Sequence, residues 1–272
     1  MNISRSDPSL VWPSGEILHI SGHDAGSFLH AQLASSVHEL LPGQWQWSAW
    51  LNVQGRVRAL LQLGHGPNGH YHAWLRGGRA GQLGQALQSF VMRAKVAMQA
   101  SSQVSVVDDA LPAGKFEIHA DELVYGMGPH SWRLAVQDRS PTSADENLQR
   151  ARLEEIRRGW PYIPDNFLNA LLPPALGLEH LTAVRFDQGC FPGQEVAARL
   201  HFRGGHKYRL AHLRSAGLVR PGQTLEAPPA HPPKILNSAA SERGFEVLAV
   251  VHQELEPSTL STGIELLQRF SP

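Results

Sequence analysis

Apolar and polar positions alternate with a period of two in short runs and near 3.6 in a few others, which predicts a mixed α+β chain. Residues 16–21 alternate as a strand. Gly22 then turns the chain toward Asp24, which can cap a helix over 25–33 with Phe28, Leu29 and Leu33 on one face. Residues 44–52 set Trp45, Trp47 and Ala49 against polar neighbours. Asn52-Val53-Gln54-Gly55 is a turn sequence, and 56–63 returns as the second strand of a hairpin. A strand at 70–75, a helix over 78–91 with Leu83, Leu87 and Phe90 aligned, and a strand at 95–99 come next.

Residues 104–107, 115–119 and 132–136 read as three more strands, a second α+β lobe whose loops carry Gly, Pro and polar residues. Ser143-Ala144-Asp145-Glu146 has capping-box spacing and opens a helix in which Leu148, Ala151 and Ile156 recur, with Gly159 and Pro161 as stops. The chain over 160–184 is Pro-rich and irregular, a segment expected to lie over the preceding lobe and to deliver the loop around Cys190 to a shared cleft. Short strands at 207–213, 223–226, 245–252 and 264–269, with Pro228, Pro229, Pro232 and Pro233 in a connector, suggest a small antiparallel barrel or sandwich. The expected division is an α+β region over 1–204, in lobes of 1–99 and 100–204, followed by a β unit over 205–272.

Composition narrows the class. The 272 residues exceed what one core needs, and 42% hydrophobic with 18% charged residues is globular. Lys plus Arg and Asp plus Glu number 24 each, so net charge gives no reason to expect a polyanion partner. One cysteine cannot form an internal disulfide and gives no zinc spacing, which suits a reducing cytoplasm. The N-terminal residues lack a basic head followed by an apolar core, and no run approaches the roughly 20 apolar residues of a membrane helix. His65, His70 and His72 read as turn histidines rather than metal ligands, and no phosphate-loop or dinucleotide fingerprint is present.

The chemistry concentrates in one stretch, Asp187-Gln188-Gly189-Cys190-Phe191-Pro192-Gly193-Gln194-Glu195. Gly189, Pro192 and Gly193 are turn residues and 194–202 reads as helix, so the loop feeds Cys190 toward a helix N-terminus, a setting that favours a thiolate. Arg199 and Arg203 would favour the thiolate as well, while Asp187 and Glu195 oppose it. Two readings of Cys190 are open, a reactive thiol and a small buried hydrophobe. Glu195 is either an ordinary first-turn carboxylate or an acceptor for paired N–H donors. From Val196 to Arg214 there is no acid, and Arg199, Arg203, Lys207, Arg209 and Arg214 supply five cations with His201, His206 and His212 between them. That run is either solvated or suited to carboxylate or phosphate.

Gly-Cys-Phe-Pro-Gly-Gln-Glu followed by Ala198-Arg199 and Phe202-Arg203-Gly204 resembles the signature of the folate-binding YgfZ family, relatives of the glycine-cleavage T protein. The family's usual lysine ahead of the first glycine is Gln188 here. Weaker matches precede it in order, at 22–29, at 51–57 and at Phe90-Val91-Met92-Arg93-Ala94-Lys95-Val96. The resemblance implies T-protein-like lobes, a C-terminal barrel, tetrahydrofolate or a derivative as ligand, and a role in assembling or repairing iron–sulfur clusters, including those of tRNA-modifying enzymes. It also implies Cys190 as the reactive thiol, Glu195 as pterin acceptor with Gln194 and Gly193 beside it, and Arg199, Arg203 and Lys207 as anion partners. Where the T protein carries an activating acid after its hairpin, this chain has Arg58, Ala59, Leu60 and Leu61, so aminomethyl transfer is the lesser alternative. A tRNA-binding module that uses residues 199–214 is the other.

Overall fold

The computed structural model describes residues 15–120, 122–135, 146–225, 231–260 and 263–271. The capping-box residues 143–145, Pro228, Pro229 and the N-terminal start lie outside them. Strands β1 (Glu16–Ser21), β2 (Gln44–Leu51), β3 (Val57–His65), β4 (Tyr71–Gly77) and β5 (Ala97–Ser102) form an antiparallel sheet in the order β2-β3-β4-β1-β5. Helices α1 (Ala25–Gln32) and α2 (Ala80–Gln88) supply apolar cover for one set of its residues. Phe28, Leu29, Leu83 and Leu87 pack there with Leu18, Ile20, Leu61 and Leu63.

A second antiparallel sheet, ordered β6-β9-β8-β7, is built from β6 (Val104–Asp108), β7 (Phe116–His119), β8 (Glu122–Gly126) and β9 (Ser131–Ala135). Its Phe116, Tyr125 and Trp132 pack with Trp45, Trp47 and Trp74 of the first sheet. Helix α3 (Glu146–Arg157) follows, then an irregular segment with short 3-10 turns, then α4 (Gln194–Arg203). The third antiparallel sheet is β11-β12-β10-β13, from β10 (Tyr208–Ser215), β11 (Lys234–Ser241), β12 (Gly244–His252) and β13 (Ile264–Arg269). Leu210, Leu236, Leu248 and Val250 of that sheet share one core with α3 and the two earlier sheets.

Polar ties reinforce the junctions. Arg76 and Glu155, both fully buried, form a two-pronged pair at 3.1 and 2.6 Å, and the Trp132 indole N–H donates to the same carboxylate at 2.8 Å. Arg157 at the end of α3 holds Glu246 of β12 at 2.9 and 2.6 Å, and His212 meets that carboxylate at 2.9 Å.

Several expectations change. Asp24 occupies the N-cap position of α1 without capping it, because its carboxylate accepts the Lys95 amide at 2.7 Å and meets His23. Helix α2 stops at Gln88, so Phe90 falls in the following turn and is 48% exposed. Strand β8 is hidden from the hydrophobic pattern because Leu123, Val124 and Tyr125 are buried in succession, which removes the period-two signal. In the described part of the expected strand at 223–226, Thr224 makes an isolated bridge to Lys234, and the strand is β11. Its buried Asn237 and Ser238 mask it, Asn237 being retained because its Oδ1 accepts the Tyr162 amide at 3.1 Å.

Candidate functional site

The segment between α3 and α4 runs along the first sheet and is pinned by backbone bonds. The Ile163 amide donates to Arg76 O at 2.7 Å, the Val57 amide to Leu171 O at 2.9 Å, and the Arg185 amide to Ala34 O at 2.8 Å. It brings the Cys190 loop onto the turn between β2 and β3. That turn is organised by Asn52, whose Oδ1 accepts the Gln54 and Arg56 amides at 3.0 and 2.9 Å. Gly193, the residue before α4, has φ of +78°, and a Cβ there would lie 2.2 Å from Asn52 O and 3.0 Å from Gly55 Cα. Gly55, with φ of +71°, would place a Cβ 3.0 Å from that of Val196. Hairpin and loop therefore meet backbone against backbone, which only glycine allows. Glycine's turn role is legible in both sequence motifs, and their mutual approach is not.

Around this junction the candidates separate. Phe191 is buried and anchors the loop, while Cys190 is a free, exposed thiol, which excludes the buried-hydrophobe reading. Asp187 is gripped by Arg185 at 2.9 and 2.6 Å, and hydrogen bonding from that guanidinium holds its carboxyl below the usual range. Arg185 also holds Glu39. Gln188 is 6% exposed and donates through Nε2 to Leu33 O at 3.2 Å, while its Oε1 is buried without a partner among the described residues. A side chain at this position thus points inward rather than toward the Cys190 thiol's solvent face.

Helix α4 buries Ala197 and presents Glu195, Arg199, Phe202 and Arg203, all exposed, at the spacing of one helical face. Among the described residues, Glu195, Arg199, Arg203 and Lys207 have no ion-pair or side-chain hydrogen-bond partner. The acid-free run does not stay acid-free in space. Arg214 pairs with Glu265 at 2.8 Å, His212 with Glu246, and His201 with Glu179 at 2.5 Å. Sequence reasoning misses Glu179 because it lies in the irregular segment and meets its partner only through the fold. Lys207 lines a cleft of about 470 Å³ together with Leu200, His201 and Gly204, and none of Cys190, Gly193, Gln194 and Glu195 borders it. Glu195 and Arg203 stand about 12 Å apart along the helix, so the candidates form two groups at opposite ends of α4.

No protein-family model matches the chain. Among curated proteins it is 26% identical over 231 residues to the tRNA-modifying protein YgfZ of Edwardsiella ictaluri, an alignment that covers 73% of this chain and 68% of that protein. It is 24% identical over 277 residues to the tRNA-modifying protein YgfZ of Escherichia coli O157:H7, covering 89% and 84%. The chain is similar to the YgfZ proteins. This YgfZ-like chain also superposes on the glycine cleavage system aminomethyltransferase T from Bartonella henselae with a TM-score of 0.66, covering 93% of this chain and 82% of that one. At 14% identity that likeness shows the fold alone, an α+β aminomethyltransferase-like architecture. Among the described residues, no helix of the YgfZ-like chain is long and apolar enough to cross a membrane.

Proposed function

We propose that the chain binds a reduced folate, tetrahydrofolate or a derivative, and serves in the cytoplasm in assembling or repairing iron–sulfur clusters, including those of tRNA-modifying enzymes. The observation that carries the reading is an exposed Cys190 thiol just ahead of a helix whose first turn offers an exposed Glu195 carboxylate with no partner among the described residues. Similarity to proteins named for tRNA modification, on an aminomethyltransferase-like fold, supports it.

The donor set fits a folate. A carboxylate accepts two adjacent N–H donors in parallel, as an aminopyrimidinone edge presents them, and Glu195 is free to do so. Gly193 and Gln194 border it, and Arg199 and Arg203 are unpaired cations for the ligand's carboxylates. Lys207 is left out of this set because it belongs to the cleft at the other end of α4. A bound reduced folate supplies the amines that carry one-carbon units, and this chain's residues hold it and present a thiol. Aminomethyl transfer is the weaker reading: β3, the strand after the hairpin turn, carries Arg58, whose guanidinium lies 4.2 Å over the Trp50 ring, and Ala59, Leu60 and Leu61 are buried.

Calorimetry with tetrahydrofolate tests the reading. Glu195→Gln removes one charge-assisted contact and is expected to weaken binding by about 1.5 to 3 kcal/mol, with the melting temperature unchanged because the side chain is exposed. Absence of wild-type binding at millimolar folate, or normal binding by a Glu195→Gln variant that melts far earlier, overturns it.

A further inference from the structure

The C-terminal end of α4 carries features that the folate reading does not use. The cleft of about 470 Å³ there is bordered by one acid, Glu179, and that carboxylate is engaged by His201 at 2.5 Å. Lys207 is exposed and unpaired among the described residues. Arg209 reaches only Gln253 Oε1, at 3.5 Å, and its Nε is buried without a partner among the described residues. Gly204 and Gly205 have φ of +65° and +93°, and a Cβ at either would meet nothing within 4 Å, so a ligand can come close to this backbone. The amides of Gly205, His206 and Lys207 have no acceptor among the described residues.

Next to His201, which lines the cleft, stands Phe202, 75% exposed. Its ring lies 4.7 Å from that of His201 and 6.1 Å from that of Phe186, so it is steadied by other rings yet largely open to solvent. The helix dipole accounts for His201 and Arg203 in the last turn of α4, but not for Lys207 and Arg209 beyond its end. It has no bearing on an exposed phenylalanine. A carboxylate ligand would use the cations alone, whereas a nucleotide uses both, its phosphate on the cations and its base on the ring.

We propose that the C-terminal end of α4, with Phe202, Lys207, Arg209 and the 204–207 backbone, is a binding platform for single-stranded nucleic acid. Lys207 and Arg209 hold phosphates over the open glycine backbone, and a base stacks on Phe202. The platform is separate from the Glu195 end of the helix, so it stands or falls independently of folate binding.

Fluorescence anisotropy of the full chain with labelled oligouridylate and oligothymidylate, each about 12 nucleotides long, tests it, and the ratio of the two affinities tells RNA from DNA. With three or four phosphates contacted, log affinity should fall against log salt with a slope of about −2 to −3. Lys207→Gln should reduce the steepness by about 0.7. Phe202→Ala should weaken binding roughly 5- to 150-fold with the slope kept. Tetrahydrofolate calorimetry and the melting temperature should be unchanged in both variants. No binding of either oligonucleotide at low salt overturns the proposal, as does binding that neither variant diminishes. Phe202→Ala that abolishes support of iron–sulfur enzymes in cells, when the wild type ignores both oligonucleotides, overturns it in favour of a protein-docking face. An oligoglutamate that displaces the oligonucleotide and is itself indifferent to Phe202→Ala overturns it in favour of a carboxylate site.

Discussion

Gly189 and Gly193 bracket Cys190, yet a methyl group would meet different surroundings at each. At Gly193 it would force a side chain onto φ of +78° and into the Asn52 carbonyl, so Gly193→Ala is expected to destabilise by at least about 1 to 2 kcal/mol, the left-handed penalty alone. At Gly189 nothing lies within 4 Å, so Gly189→Ala should be near neutral; urea midpoints compare the two directly. Cys190 is exposed, so Cys190→Ala and Cys190→Ser should both leave the melting temperature in place while both abolish support of iron–sulfur enzymes, serine being no thiolate. An active Cys190→Ala variant, with a native thiol that iodoacetamide fails to label, would remove the functional assignment. At this scale the loop and its glycines are legible in the sequence. That Arg185 also holds Glu39, or that Gln188 turns inward onto Leu33, is not, because Glu39 and Leu33 are brought in from the end of α1 and the turn after it.

Among the elements, α3 depends on a charge that its own sequence does not single out. Glu154 and Glu155 are adjacent, and only the second is fully buried, against Arg76 of β4. Burial pushes the Glu155 carboxyl up, but the Arg76 charge, the hydrogen bonds from Arg76 and the neighbouring His130 outweigh it and bring it down to about 2 from 4.5. A carboxyl held below its unfolded value stabilises the fold fully above about pH 4.5, and that contribution is lost as pH falls through 4 toward 2. Glu155→Gln should cost about 3 to 5 kcal/mol near pH 7, since it strands a buried guanidinium, and should flatten the acid limb of urea-denaturation stability between about pH 5 and pH 3. A variant that kept the wild-type acid limb would show that Glu155 is not its source. Helices and the strands β1 and β13 are legible from periodicity. Strands β8 and β11 are not, because both of their faces are covered and one of them buries polar residues.

One apolar core spans all three sheets, beside a second core of the third sheet itself, so Leu210, Leu236, Leu248 and Val250 would lose their cover if the third sheet separated. Unfolding in urea is therefore expected as one transition. Tryptophan fluorescence, which arises outside the C-terminal sheet, should coincide with a Phe245→Trp reporter placed in β12. Two separated transitions would show that the third sheet folds alone. The order of the units along the chain is readable from the hydrophobic pattern, but the insertion of β1 between β4 and β5 is not, since it needs pairings far apart in sequence. Helix α4 joins this shared core through Ala197 alone. It presents most of the candidate side chains while burying only Ala197, so little apolar surface opposes its release. Its amides should exchange with deuterium by local opening, well before those of β12, and tetrahydrofolate should slow that exchange. A helix so lightly fastened lets ligand occupancy set its order, which makes the binding segment a reporter of its own saturation.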